Sequence, residues 1–263
     1  MATPMYSDAP LATISTPKFR TGKFPLSACY PDNFVKTDPF TLEASYMALS
    51  HNSFIRGFNS IYQQAPRIQA ADKQDFVGYC IAWHDCLWQH HHYEETEFFP
   101  SLDKAAGRKG LMAGAVDQHA AFHDGLEKFK SYLTTNESHF SHVELLATMD
   151  SFSEALHTHL KEEPQTIADL AHYDAPETPI DIMALAAQAG KKQVNMAFLF
   201  NILPVFFLNM ESVQFEDGLW HGSFPPVSKP VKWIMTKGAP MWQHRRWRFA
   251  SCTPDGEFKR LAV

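Results

Sequence analysis

Apolar side chains recur every three or four residues in four separate stretches of the first two thirds of the chain. This spacing places them on one face of a helix, so the pattern predicts four amphipathic helices. Asp38 and Pro39 form a suitable start for the first helix, with a capping carboxylate followed by proline in the first turn. Asp72 can cap the second helix, while Pro66 and Pro100 are predicted to end the first and the second.

The four predicted stripes face one shared interior. The third stripe, for example, contains Met112, Val116, His119, His123, Leu126 and Leu133. Helices joined by short connections pack side by side in alternating directions, so the predicted fold is all-α, an antiparallel four-helix bundle. The bundle is predicted over residues 37–174, after an N-terminal arm at 1–36. Residues 175–263 are rich in aromatic side chains and are predicted to form an irregular, partly helical extension packed on the bundle.

Histidine and glutamate interrupt the apolar stripes at positions that face the predicted interior. The seven residues are His51, His90, Glu94, His119, His123, His159 and Glu163. On the last three helices the paired residues are four apart, so their side chains project together from one face. Burying all seven without partners would cost more than the roughly 5–15 kcal/mol stability of a whole domain. A buried hydrogen-bond network or bound metal must satisfy them, and metal is the simpler answer.

The donor types narrow the choice of metal. Structural zinc sites usually hold four ligands with thiolates among them, and magnesium and calcium prefer oxygen. Five imidazoles and two carboxylates are too many for one ordinary ion, but they suit two ions bridged by the carboxylates. Imidazole together with carboxylate accepts iron, manganese or zinc, so the residues alone leave the metal open.

The order of these residues along the chain resembles the hemerythrin-like (HHE cation-binding) domain. The motifs are His51, then His90-x-x-x-Glu94, then His119-x-x-x-His123, then His159-x-x-x-Glu163, within about residues 40–173. The resemblance implies a non-haem di-iron centre that meets dioxygen. It also implies the distribution of ligands: His119, His123 and His159 on one iron, His51 and His90 on the second, and Glu94 and Glu163 as bridges. The second iron then keeps an open position for dioxygen.

Three details depart from the oxygen-carrying members, which end with His-x-x-x-x-Asp. His159 and Glu163 have one residue fewer between them and a longer carboxylate, a form more like relatives with non-carrier roles. Pro164 removes the amide that would bond to the Leu160 carbonyl, so it either aims Glu163 or leaves Glu162 as the true ligand. His91 can be an extra ligand, a hydrogen-bond partner of the ligands, or a rim residue, and we favour the partner role.

Composition and charge exclude several other classes. The 263-residue chain has a formal net charge of −6, without the basic surplus typical of nucleic-acid binders. Its longest apolar run, residues 197–208, is far shorter than the roughly 20 residues of a membrane-spanning helix. The four cysteines are scattered without a C-x-x-C motif, and the N-terminus lacks the apolar segment of a secretory signal. A cytoplasmic location is expected.

Two classes of function remain. The predicted function is a dioxygen-reactive di-iron oxidoreductase, an oxidase or oxygenase, that acts on a small, fairly apolar metabolite and receives electrons from a donor. Aromatic residues of the extension, such as Phe198, Phe206 and Trp242, could line its substrate pocket. The alternative is an oxygen- or iron-binding or sensing protein without turnover, which the five neutral imidazoles favour. A two-metal phosphohydrolase or a zinc hydrolase is a weaker hypothesis, because no phosphate cradle is present.

Overall fold

Four long helices and several short ones build the chain in its computed structural model, which describes residues 5–20, 38–135, 140–191 and 195–263. The first six are α1 (Pro17–Arg20), α2 (Pro39–Gln64), α3 (Lys73–Tyr93), α4 (Phe99–Ala106), α5 (Ala113–Thr135) and α6 (His142–Asp169). Helix α6 packs along α2 and α5, and α3 packs against the same two helices. Each long helix therefore has two neighbours in a closed ring, which confirms the all-α, antiparallel four-helix bundle.

The predicted start of the first helix is correct. Asp38 accepts a hydrogen bond from the Thr41 amide at 2.8 Å, and Pro39 occupies the first turn. Asp72 precedes α3, but its carboxylate makes no capping hydrogen bond and instead pairs with Arg248 at 2.5 Å. Asp72 therefore ties the C-terminal segment to the bundle, a role that its sequence position does not reveal.

Pro100 does not end the second helix, contrary to the prediction. Residues Glu94–Phe98 form a π turn, and α4 follows directly, with Pro100 in its first turn. A proline in a regular helix interior lacks the amide donor and collides with the preceding turn, whereas the wider π turn and a new first turn accommodate it. Helical backbone thus continues to Gly107, whose positive φ of 62° ends it.

One core joins the bundle to the segments on either side of it. Phe58, Trp83 and Phe152 of the bundle pack in the same cluster as Val205 and Phe249 of the C-terminal segment. Helices α5 and α6 approach closely at Gly125, where an added Cβ would lie 2.6 Å from the Phe152 Cβ atom.

The described part of the N-terminal arm lies in an ordered position on α2. The Asn59 carboxamide accepts from the Leu11 amide at 2.9 Å and donates to the Leu11 carbonyl at 2.7 Å. Asn52 forms the same two-way pair with Ile14, at 2.7 Å in each direction. These side chains satisfy the backbone of an irregular segment that would otherwise be buried without partners.

The extension is a chain of short helical pieces, as predicted. They are α7 (Ile182–Lys191), α8 (Met196–Asn201), α9 (Pro204–Phe207), α10 (Lys229–Trp233) and α11 (His244–Trp247). Helix α9 contacts α2 and α3, and α11 contacts α3. Among the described residues, none of the helices combines the length and apolar character needed to cross a bilayer.

Candidate metal centre

Side chains from all four long helices meet in the interior of the bundle. They are His51 from α2, His90 and His91 from α3, Glu94 from the π turn, His119 from α5, and His159 and Glu163 from α6. All seven are buried, with at most 8% of any of them exposed. The bundle therefore places five imidazoles and two carboxylates in one closed space.

The donor atoms form two groups, and within each group they all lie within 4.8 Å of one another. The first group is His91, Glu94, His119 and His159, and the second is His51, His90, Glu94 and Glu163.

Both carboxylates lie between the two groups. Glu94 has one oxygen 3.1 Å from His90 Nε2 and the other 3.8 Å from His119 Nε2. Glu163 Oε2 lies 3.3 Å from His51 Nε2 and 3.5 Å from His159 Nε2. Each carboxylate is thus within 4 Å of ring nitrogens from both groups.

Hydrogen bonds on the far side of two rings fix the positions of their protons. His119 Nδ1 lies 2.7 Å from a carboxylate oxygen of Glu95, which can only accept, so Nδ1 carries the proton. His159 Nδ1 faces Gln118 Oε1 at 3.3 Å, and the Gln118 amide nitrogen donates to Glu162 at 2.7 Å. The Glu162 bond fixes the orientation of the Gln118 amide, so His159 also carries its proton on Nδ1.

The other nitrogens of these two rings face each other without a proton between them. His119 Nε2 and His159 Nε2 are 3.1 Å apart, and a ring whose single proton is held on Nδ1 presents a lone pair at Nε2. Burial, followed by the nearby His119, His51 and His90, lowers the pKa of His159 well below its usual value, which keeps that ring neutral. Two lone pairs at this separation repel, and a cation bound by both nitrogens would remove the repulsion.

Several other donor atoms in the cluster have no hydrogen-bond partner. Both carboxylate oxygens of Glu94, both of Glu163 and Nε2 of His91 are buried and make no hydrogen bond, although ring nitrogens lie near the carboxylates. Burial, and next the Glu163 and Glu95 charges, raise the pKa of Glu94 well above its usual value. Each such group costs on the order of 1–3 kcal/mol or more when unsatisfied, so this donor set fits bound cations far better than an empty interior.

Pro164 orients His51 through the backbone of α6. The proline lies inside the helix and has no amide to donate to the Leu160 carbonyl four residues earlier. That carbonyl instead accepts a hydrogen bond from His51 Nδ1 at 2.7 Å, which leaves the lone pair of His51 on Nε2, facing the cluster. The helix continues to Asp169, so the proline frees one acceptor without ending the helix.

The prediction that His123 faces the interior is wrong. Its side chain is 56% exposed, and Phe122 occupies the inward position beside His119. The inner face of α5 runs through Ala115, His119, Phe122, Leu126, Phe129 and Leu133, in alternating steps of four and three. The sequence pattern predicts the residue four positions after His119 on the inner face, whereas the structure uses the residue three positions after it. The same shift in register puts Val116, which is exposed, on the predicted inner face.

His91 stands where the predicted third imidazole of the first group was expected. Its ring centroid lies 4.4 Å from that of His119 and 5.0 Å from that of His159. His91 precedes Glu94 by three residues, which is also a same-face spacing in a helix. That spacing is the sequence signal for the extra-ligand alternative, which ranks below the partner role in the sequence analysis.

The two adjacent glutamates of α6, Glu162 and Glu163, have different environments in the structure. Glu163 is 1% exposed and lies in the cluster, whereas Glu162 faces solvent and accepts from Gln118. The position favours Glu163 over Glu162 as a ligand.

An apolar pocket of about 210 Å³ reaches His90 from the outside. Its walls include Phe54 and Tyr93 from the bundle and Phe198, Leu203 and Phe206 from the C-terminal segment. Phe54 packs on the His90 ring at a centroid distance of 5.0 Å. The extension thus completes a cavity next to one of the candidate ligands.

Comparison with known proteins agrees with this arrangement. Residues 44–171 match the family model for the hemerythrin HHE cation-binding domain. A relative from Cryptosporiopsis sp. (strain 8999), named Dimeric xanthone biosynthesis cluster protein R11, is 31% identical over 220 residues, which cover 83% of this chain and 81% of the relative. The solved structures gave no match. The sequence match, the helical bundle and the inward-facing histidines and glutamates together show that the chain belongs to the hemerythrin HHE cation-binding family.

Proposed function

We propose that this protein is a non-haem di-iron, dioxygen-reactive oxidoreductase that acts on a small aromatic molecule. The observation that carries the proposal is the pair of Nε2 atoms of His119 and His159, 3.1 Å apart and buried beside two carboxylates that make no hydrogen bond. Imidazole and carboxylate together suit iron, and the family is defined by cation binding.

Seven residues would hold the two ions. His91, His119 and His159 would bind one, His51 and His90 the other, and Glu94 and Glu163 would bridge them. When bound, iron would supply the Lewis acidity and the electrons for reaction with dioxygen. Further electrons would come from a separate donor. Compared with the ligand set that the family resemblance implies, His91 replaces His123.

The protein's own residues keep this centre dry and oriented. Glu95 and Gln118 hold the His119 and His159 rings, and the Leu160 carbonyl holds His51. Such partners fix ring orientation and tautomer, and their loss typically weakens metal binding 10–100-fold. Phenylalanine rings cover part of the imidazole side of the site, with Phe54 on His90 and Phe122 on His91.

The pocket beside His90 supports turnover of an aromatic substrate. An apolar cavity of about 150 Å³ is known to hold benzene, so 210 Å³ suits a substituted one-ring or a two-ring compound. Tyr93 is one of the lining residues and carries a phenol group. The relative's name refers to biosynthesis of dimeric xanthones, which are fused aromatic ketones, and we propose an aromatic substrate of this general kind.

The second candidate is an oxygen- or iron-binding protein without turnover. The five neutral imidazoles favour it, because neutral ligands stabilise ferrous iron. The pocket completed by Phe198, Leu203 and Phe206 is the observation against it, since a carrier requires no more than the bundle.

Iron content tests which histidine binds metal. The wild-type protein should contain about two iron atoms per chain, as in other carboxylate-bridged bundles. His91→Ala should retain about one, because one ion loses an imidazole. His123→Ala is the matched control and should retain two, because its side chain faces solvent. Loss of iron from His123→Ala with full retention by His91→Ala would contradict the ligand assignment.

Pro164→Ala tests how His51 is oriented. The new amide would donate to the Leu160 carbonyl and displace His51 Nδ1, so we expect iron to bind about 10–100-fold more weakly at the second site. Alanine is the better helix former, so weaker binding would not reflect a damaged helix. The measurement is the release of ferrous iron to a coloured chelator, with the exposed Gln165→Ala as control. Equal release from Pro164→Ala and wild type would exclude this role for the proline.

Gly190→Trp tests the pocket. Gly190 lines the pocket in α7, and a Cβ added there would have no neighbouring atom within 4 Å, so tryptophan should narrow the entrance without a clash. In stopped-flow mixing of the reduced protein with oxygen, 1-naphthol should speed the decay of the first coloured species in wild type. We expect at least about a tenfold smaller acceleration in Gly190→Trp, with unchanged iron content.

Gly114→Trp is the control, because Gly114 is also helical and uncrowded but lies on α5, away from the pocket. If 1-naphthol accelerates Gly190→Trp as much as wild type, the pocket is not the substrate site. A long-lived, reversible oxygenated species in wild type, whose decay rate does not change when one- and two-ring arenes are added, would favour the binding protein without turnover.

A further inference from the structure

The C-terminal segment carries a group of large apolar side chains that face solvent. They are Val227, Val231, Trp233, Ile234, Met241 and Trp242, which we call the tryptophan face. Trp233 and Trp242 are each 59% exposed and Met241 is 77% exposed. Most of these residues belong to one continuous helical stretch, formed by α10, the π turn Ile234–Gly238 and the 3₁₀ turn Ala239–Met241. Exposed apolar groups that lie together mark an interaction surface.

The segment that carries this face has more positive than negative side chains. Residues 218–254 contain six lysines and arginines and no aspartate or glutamate, although the whole chain has a net charge of −6. Within the described residues, Lys237, Arg245 and Arg248 each pair with a carboxylate from elsewhere in the chain. Of the other three cations, Lys229 is exposed, while Lys232 and Arg246 are half-buried. Together they leave the segment with a local positive excess.

The protein holds this stretch in a fixed position. The Lys232 ammonium group donates to the carbonyls of His221 and Phe224 at 3.1 and 3.2 Å. Thr236 and Ala239 are buried on the opposite side of the same stretch. The exposed tryptophans are therefore presented outward by an anchored helical element.

These features together select the kind of partner. A second copy docked face to face would bring together two surfaces on which cations outnumber carboxylates, since Asp255 already pairs with Lys237. A neutral apolar partner would make no use of the cations. An anionic bilayer uses both, because tryptophan and aliphatic side chains enter the interface while lysine and arginine meet the lipid headgroups.

We infer that the tryptophan face binds the surface of an anionic lipid bilayer. The side chains enter the headgroup region without crossing the membrane. Trp242 donates to Asn201 of α8 at 3.1 Å, and the pocket-lining Phe198 belongs to the same short helix, so the bound surface adjoins the pocket. The inference rests on exposure and charge, and it stands whether or not iron binds in the bundle.

Vesicle flotation of the full chain tests the inference. The protein should float with vesicles of phosphatidylcholine mixed with phosphatidylserine, and far less with phosphatidylcholine alone. Trp233→Ser combined with Met241→Ser should weaken binding about tenfold or more, because two large apolar groups no longer enter the interface. Lys229→Glu should weaken it about tenfold, and added salt should weaken wild-type binding.

Two matched variants control for general surface effects. Val143→Ser removes an apolar side chain that is 65% exposed on α6, and Lys128→Glu reverses an exposed charge on α5. Both should bind vesicles as wild type does. Absence of flotation with the anionic vesicles would overturn the inference, as would equal binding to neutral vesicles. Self-association that Trp233→Ser abolishes, without vesicle binding, would identify the face as a contact between two copies.

Discussion

The structure depends on a repulsion that its own atoms do not relieve. His119 and His159 aim the lone pairs of their Nε2 atoms at each other across 3.1 Å, in the buried interior of the bundle. Glu95 and Gln118 hold the two Nδ1 protons on the outer side, so neither ring can turn its proton inward without losing a hydrogen bond. We propose that a cation relieves this repulsion, and the other five donors lie around the same space.

Irregular helix geometry contributes to the same site at two places. The π turn at Glu94–Phe98 begins at the carboxylate that belongs to both donor groups. Pro164 follows the second carboxylate and frees the carbonyl that orients His51. Both features cost regular helical hydrogen bonds. In both places the backbone departs from a regular helix next to a buried carboxylate of the candidate site, Glu94 or Glu163.

The sequence predicts the bundle well, because four long apolar stripes leave little choice of fold. It also predicts the donor types, since buried histidine and glutamate require partners. The prediction fails at the neighbouring residues Phe122 and His123. Phe122 is three residues after His119 and His123 is four, and either spacing can place a side chain on the same helical face as His119. Only the continuation of the stripe through Phe129 distinguishes the two. In the sequence, Pro100 resembles the end of a helix. The π turn that lets the helical backbone continue past it has no sequence pattern as clear as an apolar stripe, so it was not predicted. The partners of Asp72 and of the Leu160 carbonyl depend on tertiary contacts, which spacing along one helix does not reveal.

The central claim is that two cations lie among these seven side chains, and anomalous diffraction at the iron absorption edge tests it most directly. Crystals of the protein purified with iron should give two anomalous peaks inside the bundle. One should lie among His91, His119 and His159, and the other beside His51 and His90. A bundle without any peak, or a peak beside the outward-facing His123, would contradict the account.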